Sequence, residues 1–417
     1  MKKFIFTIGF LGFLSTGILA QQATGNVIPG AERIPVYLPL IKGKKLGIFA
    51  NQTSMVGNTH LVDTLKSLGL DIRVIFGPEH GFRGTADAGE KVGNQTDPKT
   101  GIPVISLYGA KKRPSAEDLK EVDLLIFDIQ DVGIRFYTYI SSLQEFMEAA
   151  FEHHKPLMIL DRPNPNGHYV DGPVLEPAYK SFVGMQPVPV VYGMTIGEYA
   201  FMIAGERWLS EKANTQHDFY KTAQNSPDTP FHFQMIKCKN YTHKTRYELP
   251  VMPSPNLKEM QCIYWYPSTC FFEGTVMSEG RGTDKPFQIF GHPSLPKKLY
   301  RFTPMPNAGA KEPKLKGQTC YGWNISGTTD AVYRNVNGKI QLKYLLEAYK
   351  LFPKKDSFFL KPKSGKEEDY FFNKLAGNAV LRQQLISGKT EAQIRKSWEP
   401  ALTKFKEIRK KYLMYEE

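Results

Sequence analysis

Between residues 45 and 161, short apolar runs alternate with amphipathic ones, and that alternation leaves few folds open. Residues 45–51, 71–76, 103–108, 122–128 and 155–161 are short and rich in β-branched and aromatic side chains, so they read as strands. Between them, residues 60–68 put Leu61, Leu65 and Leu68 on one helical face, closed by Gly69. Ser115, with Asp118 three residues on, predicts a short capped helix to Lys120. From Thr138 or Tyr139 a stronger helix sets Ile140, Leu143, Phe146, Met147, Ala150 and Phe151 in one stripe, with Glu145, Glu148 and Glu152 outside it. Strand–helix alternation of this kind predicts an α/β fold with a mostly parallel, doubly wound sheet and right-handed crossovers.

In such sheets the carboxyl ends of the strands share one edge, where ligands bind. Asn51, Glu79, Asp128 and Asp161 follow four of the strands, and the pattern predicts a shared site; the strand ending at Tyr108 does not join it. The sharpest stop is Gly77-Pro78-Glu79-His80-Gly81-Phe82-Arg83-Gly84. Proline removes a backbone donor and the glycines permit tight turns, so the loop presents a carboxylate, an imidazole and a guanidinium. Glu79 is expected to be a general acid or base, its alternative being a carboxylate that ties the loop together. Asp87 and Glu90 belong to the same group. His80 has no second histidine at ligand spacing, which favours loop packing or substrate contact over metal binding.

A second constellation, residues 128–139, holds Asp128, Asp131, Arg135, Tyr137 and Tyr139 at a strand-to-helix junction. Arg135 either grips a substrate carboxylate in a forked pair of bonds or neutralises Asp128 or Asp131. Tyr137 either stacks on a sugar face or packs. A third, residues 161–167, sets Asp161, Arg162 and asparagines among stiff prolines, as a binding wall or a structural turn. A fourth, residues 272–287, flanks Glu279 and Arg281 with glycines and reads as a site loop facing the first domain.

Residues 195–212 read as one helix, and the prolines at 250, 253 and 255 mark a linker. Beyond it strand-like pieces and charged helices, including residues 343–349 and others within 390–411, follow in an α+β order. The expected division is a leader at 1–20, a catalytic domain at 21–255 and a smaller α+β domain at 256–417. Lys2 and Lys3, the apolar run to Leu19 and the small Ala20 read as a cleavable export signal, the alternative being an N-terminal membrane anchor, for which the run is short. That makes the protein exported, periplasmic or secreted, with no integral membrane segment after cleavage. Removing Lys2 and Lys3 from the formal net charge of +13 leaves about +11, suited to an anionic envelope polymer, while export argues against nucleic acid. Cys238, Cys262, Cys270 and Cys320 form no CxxC pair, so a zinc site is not expected, and they are either paired in one of three ways or free and buried. Neither a dinucleotide fingerprint, nor a P-loop, nor a GxSxG nucleophile elbow is present.

The strings GPEHGFRG (77–84), FDIQDVGIRFYTYI (127–140), LDRPNPNG (160–167) and FEGTVMSEGRGTDKPF (272–287) together resemble the exo-β-N-acetylmuramidases of the NamZ type, a YbbC-like family. The resemblance runs along nearly all of the mature chain. It implies a Rossmann-like N-terminal domain, a smaller C-terminal domain and a site between them. It further implies release of N-acetylmuramic acid from the non-reducing ends of peptidoglycan fragments, without metal or organic cofactor, and its catalytic glutamate falls on Glu79. Asp128, Asp131 and Glu279 are candidate partners for that acid, as is the substrate's own acetamido group. Arg83, Arg135, Arg162 and Arg281 are candidates for the lactyl carboxylate, with Asn51, His80, Tyr137 and Asp161 as further substrate contacts. Two other classes stay open: a wall-sugar-binding protein without turnover, and an envelope hydrolase acting on an amide or ester.

Overall fold

The computed structural model describes residues 25–79, 81–84, 93–223 and 231–417. The export signal, His80, Asp87 and Glu90 lie outside the described residues. In the first lobe, α1 (Ile34–Ile41) leads into β1 (Lys45–Ala50), a small hairpin of β2 (Met55–Val56) and β3 (Thr59–His60), and α2 (Leu61–Ser67). There follow β4 (Asp71–Gly77), β5 (Gln95–Thr96), β6 (Pro103–Ser106), β7 (Leu124–Asp128), α3 (Tyr139–Glu152) and β8 (Leu157–Leu160). A hairpin of β9 (Asp171–Val174) and β10 (Pro189–Val191) precedes α4 (Ile196–Gly205), α5 (Glu211–Ala223) and β11 (Phe233–Ile236).

The main sheet has seven strands in the order β11-β8-β7-β1-β4-β6-β5, parallel except for the short β5. In the centre, Ile48 of β1 lies opposite Ile75 of β4 and Ile126 of β7. Successive side chains point to opposite faces, and both faces are covered, so the central strands are apolar over their buried stretches, residues 46–50, 74–76 and 124–127. Phe49, Phe76 and Phe127 pack with Phe146 of α3, while Ile48, Ile75 and Ile126 pack with Tyr37 and Ile41 of α1 and Leu61 and Leu65 of α2. This is the mostly parallel, doubly wound sheet that the alternation predicts and the Rossmann-like core that the family resemblance implies.

Two helices depart from expectation. The Ser115–Asp118 exchange forms, with the Ser115 amide donating to Asp118 at 2.6 Å, yet residues 116–121 are turns. Buried Leu119 and Val122 draw the chain into β7 before a helix can continue. The helix expected over 195–212 stops at Gly205, because Arg207 takes φ 58° and turns the chain so that Leu209 is buried, and α5 starts afresh.

The smaller lobe holds α6 (Met260–Thr269) and an antiparallel three-stranded sheet, β12-β14-β13, of β12 (Ile289–His292), β13 (Tyr300–Phe302) and β14 (Cys320–Asn324). It continues with α7 (Thr329–Val336), α8 (Lys343–Leu351), α9 (Phe371–Ala376), α10 (Val380–Ile386) and α11 (Glu391–Lys410), the last a single helix where several were expected. One apolar core runs through both lobes, joining Phe127 and Phe146 to Trp265, Phe290 and Phe372. All four cysteines are free and buried. No described helix is long and apolar enough to cross a membrane.

Candidate active site

A cleft of about 400 Å³ opens where the ends of β4 and β6 and the start of α3 meet the smaller lobe. Glu79, Tyr108, Tyr137, Thr138 and Tyr139 line it on the sheet side, and Tyr266, Glu273, Arg281 and Phe287 on the other. Lys112 and Phe182 also line it.

Glu79 follows β4 directly, past Pro78. Thr138 is the N-cap residue of α3, but its hydroxyl does not close the helix; it donates to Glu79 Oε2 at 3.3 Å. Tyr108, just past β6, completes the surround. Burial, and then the Glu79 carboxylate beside it, push the Tyr108 phenol up, so it stays protonated and can donate to that carboxylate. The strand end that did not join the acidic pattern therefore supplies a phenol instead.

Aromatic rings form the lining between the two walls. Tyr137 meets Tyr139 edge-on at 4.8 Å and Tyr266 at 6.0 Å, and Tyr266 meets Phe287 at 4.8 Å. The hydroxyls of Tyr137 and Tyr139 both donate to the Pro253 carbonyl, at 2.9 and 3.2 Å. The linker thus fixes these rings, and Tyr137 packs as well as lining the cleft. Such flat, amphipathic surfaces suit a sugar face.

On the facing wall Arg281 Nη2 donates to Glu273 Oε1 at 2.6 Å. Arg281 also lies 3.4 Å from Glu279, whose other oxygen is 2.7 Å from Lys314 Nζ. Burial opposes the Arg281 charge, but Glu273 and then Glu279 hold its guanidinium above the ordinary range. Gly280 and Gly282 have φ 85° and 78°, and a Cβ at Gly280 would sit 2.3 Å from the Ile289 carbonyl. The glycines around Arg281 are therefore required by the backbone path.

Most of the other predicted site residues turn inward. Asp128 is fully buried and takes a forked pair of bonds from Arg162, Nε to Oδ1 at 2.6 Å and Nη2 to Oδ2 at 2.8 Å. This pair sits where the strand order reverses between β1 and β7, so the crevice that such sheets usually offer to ligands is filled by the protein's own charges. Asp131 accepts from the Gly133 amide at 2.6 Å and from the Tyr192 hydroxyl. Asp161 accepts from the Gly197 amide at 2.9 Å and the Tyr415 hydroxyl at 2.6 Å. Asn51 donates to the Tyr139 hydroxyl at 2.9 Å, behind the cleft wall. Arg135 neutralises neither aspartate and grips no carboxylate; it donates to the carbonyls of Pro173, Val188 and Leu375 at 2.9, 2.7 and 2.7 Å. Arg83 is held by Asp97 at 2.8 Å and Asp63 at 3.3 Å. Glu279 stands one residue behind the cleft lining, against Arg281.

Of the predicted site residues, Glu79, Tyr137 and Arg281 reach the cleft. Sequence reasoning missed Tyr108, Thr138, Lys112, Phe182, Tyr266 and Glu273 as site residues. Glu273 stands beside Gly274 in the fourth constellation, and its spacing to Arg281 was the available signal. Among the described residues no group of three or more His, Cys, Asp or Glu side chains is placed to hold a metal ion.

Residues 46–261 match the model of the N-terminal part of exo-β-N-acetylmuramidase NamZ, and residues 264–415 that of its C-terminal part. The peptidoglycan β-N-acetylmuramidase NamZ of Bacillus subtilis (strain 168) is 38% identical over 408 residues, which is 92% of this chain and 89% of that protein. A DUF1343 family protein of Bacteroides fragilis NCTC 9343 superposes with a TM-score of 0.81 at 43% identity, over 94% of this chain and all of that one. A second protein of that family and organism superposes with a TM-score of 0.74 at 26% identity, over 94% of this chain and 99% of its own. With both halves matched in order and a close relative along nearly its whole length, the chain belongs to the NamZ family of glycoside hydrolases.

Proposed function

We propose that the protein is an exo-acting hydrolase that releases N-acetylmuramic acid from the non-reducing ends of peptidoglycan fragments, with Glu79 as general acid and base. The observation that carries this is the position of Glu79: it follows a sheet strand and lines a cleft to which the smaller lobe brings a second carboxylate, Glu273.

Glycoside cleavage needs a proton for the departing oxygen and a group that stabilises or attacks the anomeric carbon. Thr138 and Tyr108 orient Glu79 for the first task. As the bond between the anomeric carbon and the glycosidic oxygen breaks, the Glu79 proton goes to that oxygen. Water then adds to the anomeric carbon and its proton returns to the Glu79 carboxylate. For the second task Glu273 lines the smaller lobe's wall, where Arg281 donates to one of its oxygens at 2.6 Å, and the 2-acetamido group of the substrate is the alternative. Asp128 and Asp131 are not candidates, since both are buried away from the cleft lining.

The export signal read from residues 1–20 puts this activity in the periplasm or outside the cell, in turnover of the wall. The test is to incubate the purified protein with a muramic-acid-terminated disaccharide and identify the products by mass. Free N-acetylmuramic acid is expected. A product cut at an amide or ester, or a bound and uncut disaccharide after long incubation, would overturn the proposal.

A further inference from the structure

We infer that Lys112, laid over the ring of Phe182 at the cleft wall, receives the carboxylate of the substrate's lactyl group and sets the preference for muramic acid over the sugar that lacks it. The inference rests on the function proposed above and names the group that reads the substrate's acid.

A carboxylate brought into this cleft needs a cation whose charge is not already taken. Among the described cleft residues the cationic side chains are Lys112 and Arg281. Arg281 is committed to Glu273 at 2.6 Å and lies 3.4 Å from Glu279. Arg83, Arg135 and Arg162 are bound to acids or carbonyls away from the cleft lining. Lys112 has no acid partner among the described residues, and its ammonium stands 4.0 Å from the Phe182 ring centroid.

The neighbours of Lys112 explain how it is held. Lys111 pairs with Asp118. Arg113 reaches Glu145 and Glu148 on α3, each at 2.7 Å, and Glu152 at 3.5 Å. Consecutive basic residues are thus pinned on either side, and the middle one is left to the cleft. Phe182 comes from the segment between β9 and β10, and Arg135 bonds to a carbonyl at each end of that segment, Pro173 and Val188. Both halves of the clamp therefore rest on anchored loops. Lys112 is itself exposed, so the Phe182 face fixes where the ammonium stands while leaving it open to an incoming anion.

The test compares a chromogenic N-acetylmuramide with the matching N-acetylglucosaminide, which differs in the lactyl ether. Lys112→Ala is expected to raise KM for the muramide by about tenfold, the size of one charge-assisted contact at a partly exposed site, with little change in kcat. The muramide preference should fall by the same factor, and Lys112→Arg should restore most of it. An unchanged KM or an unchanged preference would overturn the inference and leave the carboxylate to Arg281. If the wild type turns over neither sugar, the function proposal fails on its own. Calorimetric binding of free N-acetylmuramic acid against N-acetylglucosamine, in wild type and Lys112→Ala, then decides the role of Lys112 separately.

Discussion

Three strand-end residues that look alike in sequence have one fate, and Glu79 has another. Asn51, Asp128 and Asp161 are fully buried; the two acids are met by donors far along the chain, Arg162 for Asp128 and Tyr415 for Asp161, while Asn51 accepts from nearby Thr53 and donates to the Tyr139 hydroxyl. That acids follow these strands was legible; which ones face solvent was not, because the deciding partners lie 34 and 254 residues away. Burial pushes Asp131 and Asp161 up to about 6 from an ordinary 3.8. A carboxyl group raised on folding binds its proton more tightly in the native state, so its contribution is present below pH 3.8 and lost as pH rises towards 6. Buried His60, His168 and His232, each lowered to about 4, act oppositely over much of this range. The Asp131 contribution must therefore be read by difference. Asp131→Asn should close the gap to wild type, or overtake it, as pH rises from 4 to 6.5, by about 2–3 kcal/mol, in urea unfolding at each pH. A gap that does not vary with pH would contradict this.

At the scale of elements, the strands and α3 were legible because apolar period and length agreed. The hairpin of β9 and β10 was not, since Pro173, Pro177, Pro187 and Pro189 interrupt any strand pattern there. What holds it is Arg135, a buried guanidinium whose partners are backbone carbonyls from both hairpin ends and from α9. No pattern in sequence announces carbonyls as the partners of an arginine. Arg135→Leu would strand those acceptors in the interior, and a loss of about 3–5 kcal/mol in denaturant unfolding is expected. A loss under about 1 kcal/mol would mean that water replaces the guanidinium freely. The N-terminus of α3 illustrates a second limit. Thr138 stands at the N-cap position of a helix the sequence starts at Thr138 or Tyr139, but its hydroxyl serves Glu79, because the loop after β4 brings a carboxylate within reach.

Across the whole molecule, the two lobes share an apolar core and together line the cleft that holds Glu79. The C-terminal end ties them further, as Met414 and Tyr415 donate their amides to buried Glu198 at 2.7 and 3.3 Å. The sheet lobe brings Glu79 and the small lobe brings Glu273, so neither lobe alone presents both carboxylates. The family resemblance was readable from the four long motifs; the meeting of Glu79 and Glu273 in one cleft depends on how the lobes dock, which local pattern does not encode. The central claim is that Glu79 moves the proton. The decisive measurement is kcat/KM of Glu79→Gln on a chromogenic N-acetylmuramide, with thermal unfolding of the same sample. We predict a fall of about 10²–10⁴-fold with an unchanged melting temperature; turnover within about threefold of wild type would contradict the account.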